Sequence, residues 1–205
     1  MRQNFLTHFL CNTFSVFRYF LLMIGNLFPN YFVEINFISM KTKFKNIETN
    51  TFGELPCIND IAPNFTLVNA DLFDISLEDF QGTRLILNIF PSLDTSVCAM
   101  AVRKFNGIAS NLKDTTVLCI SKDLPFAQKR FCSVEGISNV IALSDCRPES
   151  RFGTDYGVII TDGALRGLFA RAIIVISEDG KILYTQLNKE IAEEPDYNAV
   201  LKAIS

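Results

Sequence analysis

The stretch Leu85-Ile-Leu-Asn-Ile-Phe90, followed at once by Pro91-Ser-Leu-Asp-Thr-Ser-Val-Cys98, places a cysteine directly after a strongly apolar run. A run in which nearly every side chain is apolar is typical of a strand buried on both faces of a sheet. Beyond Cys98 the spacing becomes helical, with one apolar stripe that continues to about residue 112. The residues of this stripe are Ala99, Val102, Phe105, Ile108 and Leu112. Cys98 is therefore expected in the first turn of a helix that follows a buried strand.

A cysteine at the start of a helix is well placed to lose its proton. The backbone N–H groups of the first turn have no partner within the helix, and the helix dipole adds partial positive charge there. Both favour the thiolate, which is the nucleophilic form of cysteine. The single histidine, His8, lies in an N-terminal stretch that we expect to be outside the folded domain. Without an imidazole for a Ser-His or Cys-His pair or for zinc, an activated Cys98 is the main catalytic group available.

The composition is that of one globular domain. At 205 residues with 49% hydrophobic content, the chain is long enough for one substantial core. The formal net charge of -3 argues against nucleic acid as a partner, because that would need a basic patch. The six cysteines contain no C-x-x-C pair, which favours reduced thiols in a reducing compartment over a disulfide framework. They are Cys11, Cys57, Cys98, Cys119, Cys132 and Cys146.

Residues 1–39 differ in composition from the rest, with 8 of the 19 phenylalanines and only three charged side chains. No small-residue cleavage site marks a secretory signal, and glycine, proline and asparagine interrupt the apolar stretch Tyr19–Phe32 that a membrane anchor would need. The third interpretation is a natural start at Met40, and we favour it. We expect an apolar extension outside the fold at 1–39, one domain at 40–205 and a cytoplasmic protein. A membrane-associated or exported protein is the alternative if residues 1–39 are genuine.

The domain alternates strands and helices in the order of a thioredoxin-like α/β fold. Lys43–Leu55 is expected to form a β-hairpin around Asn50. Further strands are predicted at 64–68, 72–77, 84–90, 115–120, 140–143, 170–176 and 182–187, and helices at 77–80, 124–135 and 195–204 in addition to the helix that carries Cys98. We therefore predict a central mixed sheet flanked by helices, with an N-terminal β-hairpin addition.

Pro91 and Thr95 form with Cys98 the pattern P-x-x-x-T-x-x-C. Thr95 precedes Cys98 by three residues, so its hydroxyl is expected to face the same pocket as the sulfur and to exchange hydrogen bonds with a substrate bound there. Pro91 lacks an N–H group and is expected to shield the thiolate from solvent. Either residue alone is ordinary turn or cap chemistry, but all three at this spacing after an apolar strand indicate a specific site.

This pattern resembles the peroxidatic motif of the peroxiredoxins, and longer stretches resemble their thiol peroxidase subfamily, an atypical two-cysteine class. Those stretches are Asn88–Ala99, Val102–Asn106, Val117–Gln128, Arg130–Cys132, Gly167–Ala172 and Glu194–Tyr197. The similarity runs from about residue 43 to the C-terminus and does not include residues 1–39. It implies an enzyme of antioxidant defence, without a metal or cofactor, that reduces hydrogen peroxide and organic hydroperoxides.

The resemblance also implies roles for individual residues. Cys98 is the peroxidatic cysteine, whose thiolate attacks the O–O bond and becomes a sulfenic acid. Arg171 matches the active-site arginine of the family, and its charge would favour the thiolate and the developing charge on the peroxide oxygens. The ordinary alternative for Arg171 is a surface ion pair, but its apolar neighbours favour an inward side chain. Cys132, 34 residues after Cys98, matches the resolving cysteine that forms the intramolecular disulfide.

The position of the resolving cysteine defines the subclass. A related class has it five residues after the nucleophile, where this chain has Arg103, and the typical class has it in a C-terminal tail, but no cysteine follows Cys146. A disulfide needs Cα atoms about 4.4–6.8 Å apart. Cys98 and Cys132 are predicted on separate helices, so we expect local unwinding around both when they pair. The resemblance further implies recycling by thioredoxin and a homodimer.

Two other functions can be weighed against a peroxidase. A disulfide oxidoreductase would need C-x-x-C at the helix start, which this chain lacks. A redox sensor or relay would pass oxidation from Cys98 to a partner protein, and its first chemical step is the same as that of a peroxidase. The sequence leaves this alternative open, and steady-state turnover of peroxide would separate the two.

Overall fold

The computed structural model describes residues 39–204. Within that range nine strands form: β1 Lys41–Phe44, β2 Ile47–Asn50, β3 Thr66–Asn69, β4 Asp74–Ser76, β5 Arg84–Ile89, β6 Thr115–Ser121, β7 Ile141–Ser144, β8 Ala172–Ile176 and β9 Ile182–Leu187. A 3-10 helix spans Leu77–Phe80, and the α-helices are α1 Ser96–Ala109, α2 Pro125–Glu135, α3 Phe152–Asp155 and α4 Tyr197–Ala203. No helix in the described range is long and apolar enough to cross a membrane. The predicted extension at 1–39 lies outside the described residues except for Ser39, and the predicted domain boundary stays a prediction.

Seven of these strands form one mixed sheet in the order β4-β3-β7-β6-β5-β8-β9. The central strands β5, β6 and β7 are parallel, and each of the other strands is antiparallel to its neighbours. Parallel neighbours need a crossover connection, and α1 and α2 supply the two that join β5 to β6 and β6 to β7. The predicted thioredoxin-like fold, a central mixed sheet flanked by helices with a hairpin at its N-terminus, is confirmed.

The sheet is buried on both faces, which explains the continuous apolar runs of its central strands. One face of β5 packs Leu85, Leu87 and Ile89 against aromatic side chains from the region of α3. The opposite face of the sheet packs against α1 and α4. Cys98 belongs to this second cluster, so the helix that carries it is fixed against the sheet by its apolar stripe.

The N-terminal hairpin forms, but its predicted turn around Asn50 is wrong. Phe44 of β1 lies opposite Ile47 of β2, which places the turn at Lys45 and Asn46. Both have positive φ, 52° and 66°, as a tight primed hairpin turn requires, and asparagine tolerates that conformation. Asn50 instead ends β2, where its backbone N–H and its side-chain amide both donate to the carboxylate of Asp162.

Several other predicted boundaries shift by two or three residues. Helix α1 ends at Ala109 rather than near residue 112, and β8 begins at Ala172 rather than 170. Helix α4 begins at Tyr197 rather than Pro195, because the carboxylate of Asp196 caps it by accepting the N–H of Ala199 at 3.0 Å. The short helix α3 is not among the predicted elements, since four residues are too few to show helical periodicity.

Gly157 makes a close backbone contact that permits a direct test of the packing. It has φ 65°, and a Cβ atom at this position would overlap the carbonyl group of Glu54. Gly157→Ala is expected to lower the free energy of unfolding by about 3 kcal/mol, from left-handed strain and overpacking together. Gly82→Ala is the control, because Gly82 has φ 78° but nothing within 4 Å of the added atom, and should cost about 1 kcal/mol from strain alone. Denaturant unfolding measures both, and equal losses would contradict the role of the Glu54 contact.

Candidate active site

The register between β5 and β8 brings the cysteine-bearing helix next to Arg171. In this antiparallel pair Ile89 lies opposite Ala172. Phe90 and Arg171 are the next residues beyond that pair, so Arg171 lies beside the point where the chain leaves β5 for α1. Cys98 is the third residue of α1. Cys98 and Arg171 are 73 positions apart in the sequence, and the pairing of the two strands brings them together.

The sulfur of Cys98 accepts a hydrogen bond from Nη2 of Arg171 at 3.1 Å. Both residues are only 1% exposed, so water screens their interaction little. The guanidinium cation places a positive charge directly beside the sulfur, and the start of α1 adds partial positive charge on the same side. No acidic side chain occupies the first turn of α1 to oppose this effect.

The guanidinium of Arg171 is held in place from its other side by backbone. Its Nε donates to the carbonyl oxygen of Ile191 at 2.8 Å. The N–H of Ile191 in turn donates to the carbonyl of Lys43 in β1 at 2.7 Å, so the N-terminal hairpin fixes the loop that orients Arg171. The remaining nitrogen, Nη1, is buried and has no hydrogen-bond partner among residues 39–204. This charged donor is available to an oxygen-containing ligand beside the sulfur.

Tyr197 of α4 packs in the same buried cluster as Cys98. Its ring centroid lies 5.2 Å from that of Phe105, its hydroxyl donates to Glu194 at 2.7 Å, and the Lys104 ammonium lies 4.1 Å from its ring centroid. Burial raises the pKa of the Tyr197 hydroxyl, the hydrogen bond to Glu194 raises it further, and the nearby charge of Arg171 opposes them. The phenol therefore stays protonated at neutral pH and serves as a hydrogen-bond donor rather than as a base.

The other two residues of the motif lie between β5 and the start of α1. Pro91 is buried, and the predicted shielding of the sulfur by Pro91 stays a prediction. Thr95 is the exposed N-cap residue of α1, and its hydroxyl donates to the carbonyl oxygen of Ser92 at 3.1 Å. A hydroxyl oxygen has two lone pairs, so it can still accept a bond from a peroxide O–H while it donates to Ser92. The predicted contact between Thr95 and a peroxide stays a prediction.

The candidate resolving residue, Cys132, lies half-buried on α2, and both it and Cys98 are free thiols. Burial raises the pKa of the Cys132 thiol. Both cysteines lie within wound helices, so the structure shows the unpaired form. The predicted pairing of Cys98 with Cys132 stays a prediction. Cys119 is fully buried in β6, where burial raises its pKa to about 12 and keeps it protonated.

The structure adds Asp123, which the sequence pattern does not single out. It lies between β6 and α2, and its carboxylate accepts a hydrogen bond from the hydroxyl of Ser92 at 2.7 Å and another from the N–H of Leu93 at 2.7 Å. Ser92 and Leu93 belong to the segment that leads into α1. Its position in the sequence could have pointed to it: Asp123 is an acidic residue just beyond the carboxyl end of a predicted parallel strand, and α/β proteins often place functional groups there.

The site thus combines a buried sulfur nucleophile with a fixed cation beside it. Such an arrangement can stabilise negative charge that develops on an oxygen leaving from the sulfur's reaction partner. Within residues 39–204, no group of three or more histidine, cysteine or acidic side chains gathers in a way that could hold a metal ion.

Comparison with known sequences matches the described domain to one family. The family model described as Redoxin matches residues 58–201. A thiol peroxidase of Corynebacterium glutamicum is 56% identical over 165 residues, which cover 80% of this chain and 99% of that protein. A thiol peroxidase of Mycobacterium tuberculosis is 55% identical over 155 residues, which cover 76% of this chain and 92% of that protein.

Comparison with solved structures gives a concordant result. The crystal structure of a peroxiredoxin-like protein from Aquifex aeolicus superposes with a TM-score of 0.76 at 37% identity. The match covers 81% of this chain and 96% of that one. The arrangement of sheet and helices described above is therefore shared along nearly the whole length of that protein.

Proposed function

The chain belongs to the redoxin family, as a thiol peroxidase among its peroxiredoxins, and on that premise we propose that Cys98 is its peroxidatic cysteine and Cys132 its resolving cysteine. The enzyme is a peroxidase that acts on hydroperoxides. The observation that carries the assignment of Cys98 is the hydrogen bond of 3.1 Å from Arg171 to its sulfur, at the start of a helix and away from water. Pro91 and Thr95 complete the site, as shield and as peroxide-binding hydroxyl.

In the first step the thiolate of Cys98 attacks the terminal oxygen of a hydroperoxide. The S–O bond forms as the O–O bond breaks, so that the sulfur is oxidised to a sulfenic acid and the peroxide is reduced to an alcohol or to water once the departing oxygen takes up a proton. Nη1 of Arg171, which has no partner among the described residues, is in position to donate to a peroxide oxygen. Its charge then stabilises the negative oxygen that leaves.

In the second step the sulfur of Cys132 attacks the sulfenic sulfur of Cys98. The S–S bond forms, the S–O bond breaks, and the hydroxyl group leaves as water. A disulfide needs Cα atoms about 4.4–6.8 Å apart, and two residues within separate wound helices are poorly placed for that approach. We expect the first turn of α1 and the part of α2 around Cys132 to unwind locally, which would also expose the half-buried Cys132 thiol.

In the third step a dithiol protein returns the enzyme to its starting form. Its two thiols supply the two electrons that reduce the 98–132 disulfide. The family favours a reductant of the thioredoxin type, and we propose thioredoxin itself. A homodimer and a cytoplasmic location complete the proposal, in keeping with the reducing conditions that such a cycle requires.

Cys132→Ser tests the assignment of the resolving cysteine. The first step is expected to proceed at close to its normal rate, because Arg171 and α1 are unchanged, while the sulfenic acid persists and is overoxidised to sulfinic acid as more peroxide is added. Turnover with thioredoxin should fall by about 100-fold or more, since no internal thiol forms the disulfide that thioredoxin reduces. Mass spectrometry after one equivalent of peroxide measures both species. Wild-type protein that forms no 98–132 disulfide would refute the assignment.

The pH dependence of disulfide formation gives a second check on Cys132. Only its thiolate attacks, and burial raises the pKa of this thiol, so the thiolate fraction is small at neutral pH. Because the pKa of Cys132 lies above its ordinary value, the thiolate fraction of Cys132 keeps rising with pH beyond neutrality. The rate of the second step should rise with it. Rapid acid quench followed by mass spectrometry at several pH values measures this rate. A rate that is independent of pH would indicate that helix opening, not the attacking thiolate, limits the step.

A further inference from the structure

Three hydrogen bonds converge on the half-buried carboxylate of Asp123. Oδ1 accepts from the hydroxyl of Ser92 at 2.7 Å. Oδ2 accepts from the backbone N–H of Leu93 at 2.7 Å and from the hydroxyl of Ser121 at 2.8 Å. Hydrogen bonds to a charged acceptor are shorter and stronger than those between neutral groups. The carboxylate therefore joins two parts of the chain firmly.

One of these parts is the rigid end of the sheet beside α2. The backbone carbonyl of Asp123 accepts from the hydroxyl of Ser144 in β7 at 2.6 Å. The buried side chain of Gln128 in α2 donates to the hydroxyl of Ser121 at 3.1 Å and to the carbonyl of Leu143 at 3.0 Å. Asp123 is thus fixed by β6, β7 and the first half of α2.

The other part is the turn that leads into α1. The hydroxyl oxygen of Ser92 accepts the N–H of Asp94 at 3.2 Å, and the carbonyl oxygen of Ser92 accepts the hydroxyl of Thr95 at 3.1 Å. The turn before Cys98 is therefore organised around Ser92, and Ser92 is bonded to Asp123. A second ionic contact between the two parts, from Arg130 to Asp94, is 3.6 Å long and largely exposed, so it contributes little.

We infer that Asp123 is a positioning residue that holds the segment from Ser92 to Cys98 in its wound form and so sets what fraction of oxidised Cys98 is open and able to meet Cys132. This inference rests on the proposed two-cysteine function. Asp123 stays with the sheet when the first turn of α1 opens. Opening therefore requires Ser92 and Leu93 to break their bonds to Asp123. The two bonds that Ser92 and Leu93 make to the carboxylate thus oppose opening, and weakening them raises the population of the open form.

The consequence concerns the fate of the sulfenic acid. A second peroxide overoxidises Cys98 to sulfinic acid while the helix stays wound, whereas opening leads to the disulfide. A tightly held Ser92–Cys98 segment therefore gives a second peroxide more time to react with the sulfenic acid before the disulfide forms. Asp123 therefore sets the peroxide concentration at which the enzyme inactivates itself, without touching either sulfur.

Asp123→Asn tests this role, because asparagine has nearly the same size but lacks the charge and presents an N–H₂ group where one acceptor oxygen was. Disulfide formation is expected to accelerate about tenfold, the effect of losing one charge-assisted bond from the wound form. The peroxide concentration that gives half overoxidation should rise by a similar factor. The rate of sulfenic acid formation should change by less than about twofold, since the wound form remains the major one. Rapid acid quench, alkylation and mass spectrometry follow all three species.

Two further variants complete the design. Ser92→Ala removes the same contact from the other side and should also accelerate disulfide formation, and the double variant with Asp123→Asn should be less than additive because one contact is shared. Asp71→Asn is the matched control, since its carboxylate pairs with Lys129 of α2 at 2.8 Å in an exposed position and does not touch the turn before α1. It should leave both steps unchanged.

The outcomes separate this inference from the proposed function. An Asp123→Asn protein that forms the disulfide at the wild-type rate or more slowly, while the wild type does form it, overturns the role of Asp123 and leaves the two-cysteine cycle intact. A wild type that forms no 98–132 disulfide instead refutes the cycle itself. A gain in rate for both Asp123→Asn and Ser92→Ala, with no gain for Asp71→Asn, supports the inference, because only the first two variants lose a contact to the turn before α1.

Discussion

Replacing Cys98 with serine is expected to abolish peroxide turnover, with a fall on the order of 10⁴-fold or more, as for other covalent nucleophiles. Serine nearly preserves the shape of the side chain, but its hydroxyl stays protonated at neutral pH and does not attack the O–O bond. Arg171 then donates to a neutral oxygen in place of sulfur, so the buried contact is kept and the fold should persist. Steady-state turnover with thioredoxin and its reductase measures the loss, and circular dichroism checks the fold.

Cys146→Ser is the matched control for this experiment. Cys146 is also a free thiol and is half-buried, but it has no place in the proposed cycle. Its variant should turn over peroxide at the wild-type rate. Retained turnover in Cys98→Ser would show that another thiol is the nucleophile, and the proposed site would then fail as a whole. Loss in Cys98→Ser alone is the expected pattern.

The central part of this site is predictable because its information is local. The apolar run 84–90 specifies a strand buried on both faces, and the apolar stripe beyond Cys98 specifies the helix. Together they put the cysteine in the first turn of α1, where the structure has it. The mixed sheet flanked by helices follows from the order of the elements in the same way.

The rest depends on contacts between distant parts of the chain, which no local pattern encodes. Arg171 reaches Cys98 because Ile89 pairs with Ala172, and in the sequence only its apolar neighbours and the resemblance to a family pointed to that arginine. The carboxylate of Asp123 and the carbonyl of Ile191 act on the site from separate loops. Each of these residues looks ordinary in the sequence, and its role depends on strand register.

Arg171→Met is expected to lower peroxide turnover by about 10²- to 10³-fold, the usual effect of removing one preorganised donor from a developing charge. Methionine is apolar and of similar length, so it removes the bond to the Cys98 sulfur and the donor for peroxide oxygen together. Steady-state turnover of peroxide with thioredoxin and its reductase measures the loss. Arg171→Lys keeps the charge, but a single ammonium cannot reproduce the fork that bonds both Cys98 and Ile191, so a loss of about tenfold or more is expected.

The stability of Arg171→Met distinguishes a catalytic arginine from a structural one. A fully buried cation is costly to desolvate, and replacing a buried charged group with an apolar one of similar volume is often neutral or stabilising. We therefore expect the variant to unfold at an equal or higher denaturant concentration while its activity collapses. Arg166→Met, an exposed arginine on the preceding loop, should change neither property. Activity that falls only in proportion to the unfolded fraction would contradict this role, because Arg171 would then be needed for folding and not for the reaction at Cys98.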